Sequence, residues 1–114
     1  MWSIASRLLT VVDERDWDTL PTLFTESARY DRPGFEPMLG RPAIDRFYRE
    51  QRDVAQGKHS ILGSLTDGEE TCCWGEFIGI TRTGRPIDEK FCDWYVLERG
   101  LIARRRTFFF RPAI

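Results

Sequence analysis

Two aspartates, a single histidine and a run of three arginines are the side chains of this 114-residue sequence best suited to chemistry. Asp93 lies within Phe91-Cys92-Asp93-Trp94-Tyr95-Val96-Leu97, an apolar and aromatic run in which an unpaired ionised carboxylate would be costly. It must be paired, protonated or exposed. Asp31 sits in a different setting. From Tyr30 to Pro42 the chain holds three prolines, two glycines, two aromatic rings and two carboxylates, Asp31 and Glu36, a density of turn formers that argues against a regular helix or strand. Ordering such a loop is costly unless it holds something in place. The expectation is that it presents Asp31 at the mouth of an apolar pocket walled by Tyr30 and Phe35, with Glu36 in solvent. His59, the only histidine, belongs to the residue type whose charge changes near neutral pH. Arg104-Arg105-Arg106 cannot share one face of a strand, because successive side chains alternate, so at least one guanidinium points inward or toward a partner subunit.

The elements that must position these groups follow from periodicity. Ile4, Leu8, Val11 and Val12 form one stripe of a helix running from Ile4 to Asp13. Trp17, Leu20, Leu23 and Phe24 suggest a second short helix that begins near Thr19, with Pro21 in its permissive first turn. A third starts at Arg41-Pro42, turns Ile44, Phe47, Tyr48 and Gln51 to the core and fades near Gly57. Strands are expected over 59–65, 71–82, 87–97 and 101–110, separated by turns at Thr66-Asp67-Gly68, Thr83-Gly84 and Glu98-Arg99-Gly100. This order predicts a single α+β domain over 1–114, with three helices covering one face of a curved, mainly antiparallel sheet of four or more strands.

If Thr83-Gly84 centres a two- or four-residue hairpin loop, opposed residue numbers sum to 167, and Asp93 faces Trp74 while Phe91 faces Glu76. Trp74, Glu76, Phe91, Asp93 and Tyr95 then line one pocket wall. A three-residue loop would shift this pairing.

The totals bound the function. Seventeen basic and eighteen acidic side chains leave a net charge of −1, which gives no global field to gather nucleic acid. Cys72, Cys73 and Cys92 lack metal-ligand spacing and read as reduced strand residues. No apolar run is long enough for a membrane span and no signal-peptide pattern opens the chain, so the expected location is cytoplasmic. Neither a phosphate loop nor a Ser-His-Asp order suggests a cofactor.

Several strings, taken in order, carry a family resemblance: Asp16-Trp17-Asp18 with Leu23-Phe24, Ala28-Arg29-Tyr30-Asp31, Gly40-Arg41-Pro42-Ala43-Ile44 with Phe47-Tyr48, Phe91-Cys92-Asp93-Trp94, and Ile102 to Arg106 with Phe108 to Phe110. They resemble the nuclear-transport-factor-2-like superfamily, in its SnoaL-like and ketosteroid-isomerase-like branch. The resemblance implies a cone-shaped α+β barrel with a deep apolar pocket, and usually a homodimer joined through the outer sheet face, where Trp94 and Val96 would lie. It implies no single reaction. By resemblance Asp31 stands near the isomerase base, and Asp93 near the aspartate that donates a hydrogen bond to a developing oxyanion. The inward parity of the last strand becomes Arg105, Thr107 and Phe109, offering Arg105 as counter-charge to Asp93 or as a substrate clamp. Dehydratase-like members suggest a dyad of His59 with Asp13, from the end of the first helix. The isomerase's helix-1 tyrosine is replaced by Leu8 or Arg7, which disfavours steroid isomerisation. Phe91 and Thr107 occupy the epoxide-hydrolase arginine and aspartate positions, which disfavours that branch.

The expectation is therefore a cofactor-independent acid-base enzyme of isomerase, cyclase or dehydratase type, acting on a small hydrophobic metabolite, with Asp31 as base and Asp93 as proton donor or oxyanion stabiliser. The alternative is a non-catalytic module of the same fold that binds a ligand or a protein.

Overall fold

The structure, a computed structural model, describes residues 3–112. Helix α1 spans Ile4–Asp13 and starts at Ser3, whose hydroxyl accepts the Ser6 N–H at 3.1 Å. It buries Ala5, Leu8, Leu9, Val11 and Val12 against the sheet. Past its end, Arg15 turns the chain at φ 56 and its Nη1 donates to the carbonyls of Val54 and Ala55 at 3.1 and 3.0 Å. That tie docks the C-terminal end of α1, and hence Asp13, beside the start of strand β3 (Gln56–Asp67).

The second expected helix shrinks to one 3₁₀ turn, Leu20–Leu23, and Phe24 opens a strand instead, β1 (Phe24–Asp31). Phe24, Ala28 and Tyr30 face the core from it. The turn-rich stretch is correspondingly shorter than expected. Tyr30 and Asp31 end β1, and Met38–Leu39 forms β2, which pairs back as Tyr30↔Met38 and Arg29↔Leu39.

Helix α2 covers Arg41–Arg46 with Pro42 in its first turn. It then widens into a π turn, Phe47–Gln51, closed by the Arg52 N–H on the Phe47 carbonyl at 2.8 Å. Ile44, Phe47 and Tyr48 are buried as expected, but Gln51 is exposed and Arg52 takes the inward position.

The remaining strands are β4 (Glu70–Ile80), β5 (Pro86–Glu98) and β6 (Leu101–Phe109). The α+β class stands, with two helices rather than three among the described residues and a six-stranded sheet in the order β2-β1-β6-β5-β4-β3. All neighbours are antiparallel except β1 and β6, which run parallel. The β4–β5 loop is of the three-residue kind: Thr81 N–H bonds the Arg85 carbonyl at 2.9 Å, and Gly84 takes φ 89. Opposed numbers therefore sum to 166 rather than 167, so Asp93 faces Cys73, Tyr95 faces Thr71 and Phe91 faces Gly75. The one-residue slip turns Trp74 and Glu76 to the outer face.

Gly75 lies on β4 opposite Ile61 of β3. A Cβ there would run into the backbone carbonyl of Ser60, which cannot yield without parting the β3–β4 ladder. Gly75→Ala is expected to cost about 1–3 kcal/mol. Urea denaturation checks it, and an unchanged midpoint would contradict the packing described.

Candidate active site

Period-2 alternation on β5 and β6 brings Asp93 and Tyr95 together with Arg105 and Thr107 on the inner face, paired as Asp93↔Thr107 and Tyr95↔Arg105. Asp93 is fully buried and accepts three hydrogen bonds: Arg105 Nη2 at 2.8 Å and Tyr95 Oη at 2.9 Å on Oδ2, and Thr107 Oγ1 at 2.6 Å on Oδ1. Thr107 spends its one proton on Asp93, so Tyr30 donates in the 2.8 Å contact between their hydroxyls. Arg32 Nη1 reaches the Tyr30 oxygen at 3.4 Å, and Arg105 Nη1 donates to Tyr48 Oη at 2.6 Å. Three donors converge on Asp93, an arrangement suited to an accepting carboxylate rather than to an acid offering a proton.

This network sets the phenols apart. Burial, reinforced by the charge of Asp93, pushes Tyr95 well above the ordinary tyrosine value. Burial also raises Tyr48, against the pull of Arg105. Tyr30 is lowered, because Arg105 and Arg32 together outweigh the upward effect of its burial. Arg105 stacks over the Tyr30 ring at 4.5 Å from its centroid. Burial opposes the charge of Arg105, but Asp93 and the surrounding phenols overcome it and raise its pKa further, so it stays a cation.

Next to this network lies a dyad. Asp13 accepts the backbone N–H of His59 on Oδ2 at 2.8 Å and contacts His59 Nδ1 through Oδ1 at 2.6 Å. A carboxylate accepts, so Nδ1 carries the proton and Nε2 the lone pair. The imidazole packs against Phe77 and Phe91, with ring centroids 4.4 and 5.3 Å away. Burial lowers the His59 pKa, the hydrogen bond and charge of Asp13 oppose that shift, and Arg52 and Arg105 add to the lowering. The net result is a histidine that is neutral at pH 7 with its basic nitrogen oriented.

His59, Asp93 and Arg105 line one cavity together with Arg32 and Arg52, closed by Phe77, Phe91 and Phe109. Its free volume is about 20 Å³, and about 300 Å³ is reached when the mouth open to solvent is counted. The inner part is room for about one water. Arg52 is 7% exposed and lies over the rings of Tyr48 and Phe77, at 5.5 and 5.3 Å. Its Nε has no hydrogen-bond partner among the described residues. Burial lowers its pKa to about 10, which leaves it charged at neutral pH. Among the described residues no cluster of three or more metal-ligating side chains occurs.

The model of the SnoaL-like domain matches residues 5–105. The chain belongs to this SnoaL-like family. Solved structures carry the same fold: an NTF2-like protein of unknown function from Burkholderia pseudomallei (TM-score 0.84, 16% identity, 93% of this chain and 87% of that one covered) and a protein with a ketosteroid isomerase-like fold from Catenulispora acidiphila, in complex with trimethylamine (0.82, 15%, 92% and 83%). An LEH-like epoxide hydrolase from M. tuberculosis is similar to a like degree (0.80, 19%, 93% and 79%). At these identities the likeness shows the fold alone. No curated protein matches by sequence.

Within this SnoaL-like domain, Asp31 does not share the cavity with Asp93. Tyr30 points inward, so its neighbour points outward, and Asp31 meets Arg29 Nε at 3.0 Å, Arg106 Nη2 at 3.4 Å and Arg104 Nη2 at 3.8 Å on the outer face. Glu36 is exposed, and Phe35 is 41% exposed with its ring 5.0 Å from that of Phe47. Neither reaches that cavity, though Asp31 and Phe35 border a separate open cleft with Pro33, Arg106 and Phe108. Trp74 and Glu76 also lie outside it, Glu76 with its carboxylate 3.9 Å from Lys90 Nζ. The structure does bring together Asp13, His59, Phe91, Asp93, Tyr95, Arg105, Phe109 and Tyr30. Arg32, Arg52, Tyr48 and Phe77 are site residues that sequence reasoning did not single out. The π turn that aims Arg52 has no signal in the sequence, whereas Phe77 shares strand parity with Cys73 and was hidden by the register slip.

A single histidine gives a single imidazole titration. Its NMR midpoint is expected below 6.5, and lower still in Asp13→Asn, which removes the charge that supports the protonated ring. Because the unfolded chain binds that proton more tightly, the stability linked to His59 is fully present above about pH 6.5 and is lost as pH falls through the folded midpoint. A midpoint above 6.5 would overturn the electrostatic description.

Proposed function

We propose that this SnoaL-like domain is a cofactor-independent acid-base enzyme of isomerase, cyclase or dehydratase type in which His59 is the general base. The observation that carries the reading is the neutral His59, held by Asp13, on the wall of a cavity lined with guanidinium groups. Nε2 takes a proton from a carbon next to a carbonyl, and the C–H electron pair moves toward the carbonyl oxygen. The positive charge of Arg52, Arg32 and Arg105 offsets the enolate that forms. Returning the proton to another carbon completes an isomerisation; giving it to a β-hydroxyl, whose C–O bond breaks as the enolate electrons form the C=C bond, releases water and completes a dehydration. Asp93 is assigned the positioning of Arg105 and Thr107 rather than proton donation. The small cavity favours a compact substrate over a fused-ring one.

Deuterium exchange at carbon tests this without a known substrate. A panel of small ketones and keto acids in D₂O, followed by proton NMR, is expected to contain compounds whose α-hydrogens exchange faster with the protein than with buffer. His59→Gln should lower that rate by about 10²–10⁴-fold. Asp31→Asn separates the two candidate bases: exchange abolished there and retained in His59→Gln would sink the assignment.

We also propose a homodimer through the outer sheet face, which exposes Leu65, Trp74, Ile78 and Phe108. Such an apolar surface is a burden for a monomer. Light scattering should give twice the chain mass, and Trp74→Arg should shift it toward one; a monomer mass for the unaltered chain refutes this.

A further inference from the structure

We infer that the cavity binds its ligand as a small carboxylate held by Arg52; this rests on the proton-transfer reading for its chemistry but not for its binding. The other charged groups at the site have partners: Asp93 ion-pairs with Arg105, Asp13 takes the hydrogen bonds of the neutral His59, and Arg32 reaches the Tyr30 oxygen. Arg52 differs. The residue is only 7% exposed, its guanidinium lies against two aromatic faces and ion-pairs with none of the described carboxylates, and it lines the same cavity as His59. Taking a cation out of water is costly without a counter-ion, and aromatic faces offset only part of that cost. A planar fork of N–H donors is the complement of a carboxylate, which it can bind through two parallel hydrogen bonds.

The geometry also limits the ligand. The inner cavity has about 20 Å³ free, room for about one small polar atom group, so the ligand's carboxylate sits at its edge and the rest of the molecule occupies the mouth. His59 and Arg52 line the same small cavity, so a carboxylate held by Arg52 would place its neighbouring carbons within the space that His59 also borders. A small carboxylic acid with an acidic C–H near its carboxylate, such as a keto acid or an unsaturated acid, is the class this fits. The carboxylate would also reverse the local field at His59. With Arg52 neutralised by the ligand, one of the charges that lowers the imidazole pKa is cancelled, so binding should raise the base's proton affinity.

Isothermal titration and thermal shift with acetoacetate, crotonate and benzoate, each set against its uncharged amide, test the inference on the unaltered protein. At least one carboxylate is expected to bind ten times or more tighter than its amide, and to move the His59 NMR midpoint upward. Arg52→Gln should abolish that preference and Arg52→Lys should retain part of it. His59→Gln should bind the same carboxylate with affinity within about threefold, which separates binding from catalysis. Equal affinity for acid and amide across the panel, or a preference that survives Arg52→Gln, would overturn the inference. Carboxylate binding without any α-hydrogen exchange would uphold it and count against the proton-transfer reading alone.

Discussion

The buried pair of Asp93 and Arg105 is the constraint to which the inner face of this protein is fitted. Two charges taken out of water must be repaid by close geometry and by hydrogen bonds to every remaining lone pair and proton. Here Tyr95 and Thr107 serve the carboxylate, Tyr48 serves the guanidinium and Tyr30 serves Thr107, while the Arg105 Nε is left without a partner among the described residues. The network therefore links β5 and β6, reaches β1 through Tyr30, and reaches the wide turn after α2 through Tyr48. Such a pair is weak evidence for net stability, because an apolar replacement of the same volume is often as stable. What it supplies is a fixed arrangement of charge in a place where a hydrophobic core would supply none.

That arrangement acts on His59 at a distance. Arg52 and Arg105 lower its proton affinity in addition to burial, while Asp13 works in the opposite sense and holds the ring by two contacts. A base of the kind proposed must be both unprotonated and oriented. Burial alone would satisfy the first condition and leave the ring free to turn; Asp13 alone would satisfy the second and favour the protonated form. The site uses both, and the tie from Arg15 to the carbonyls of Val54 and Ala55 keeps α1 close enough for Asp13 to take part.

Much of the fold was legible because its signals are local. Helix α1, the Pro42 helix start, the long strands and their turns follow from apolar period and turn chemistry within a few residues. Strand β1 was not, because Phe24-Thr25-Glu26-Ser27-Ala28 carries little apolar alternation and its parallel partner β6 lies some seventy residues on. At the site, the inward parity of Arg105 and the burial of Asp93 could be read from alternation and from the cost of an unpaired carboxylate. Trp74 and Glu76 were misplaced together by a single residue of loop length, since a strand slipped by one exchanges its faces. Asp31 was misplaced for a related reason: treating Tyr30 to Pro42 as an irregular loop removed the alternation that sets Tyr30 and Asp31 on opposite sides.

Arg52 shows most clearly where local pattern gives way. Ile44, Phe47, Tyr48 and Gln51 have ideal helical spacing, and an uninterrupted α-helix would turn Gln51 to the core. The π turn adds one residue to that cycle and rotates everything after it by about 100°. Gln51 leaves the core and Arg52 enters it, a substitution of a full charge for a neutral amide. Packing alone does not favour such an exchange, since the neutral side chain would be easier to desolvate. The aromatic faces of Tyr48 and Phe77 lessen the penalty without removing it. The rearranged turn makes physical sense as the means of carrying a cation to the wall that holds His59, where an incoming negative charge would complete the balance.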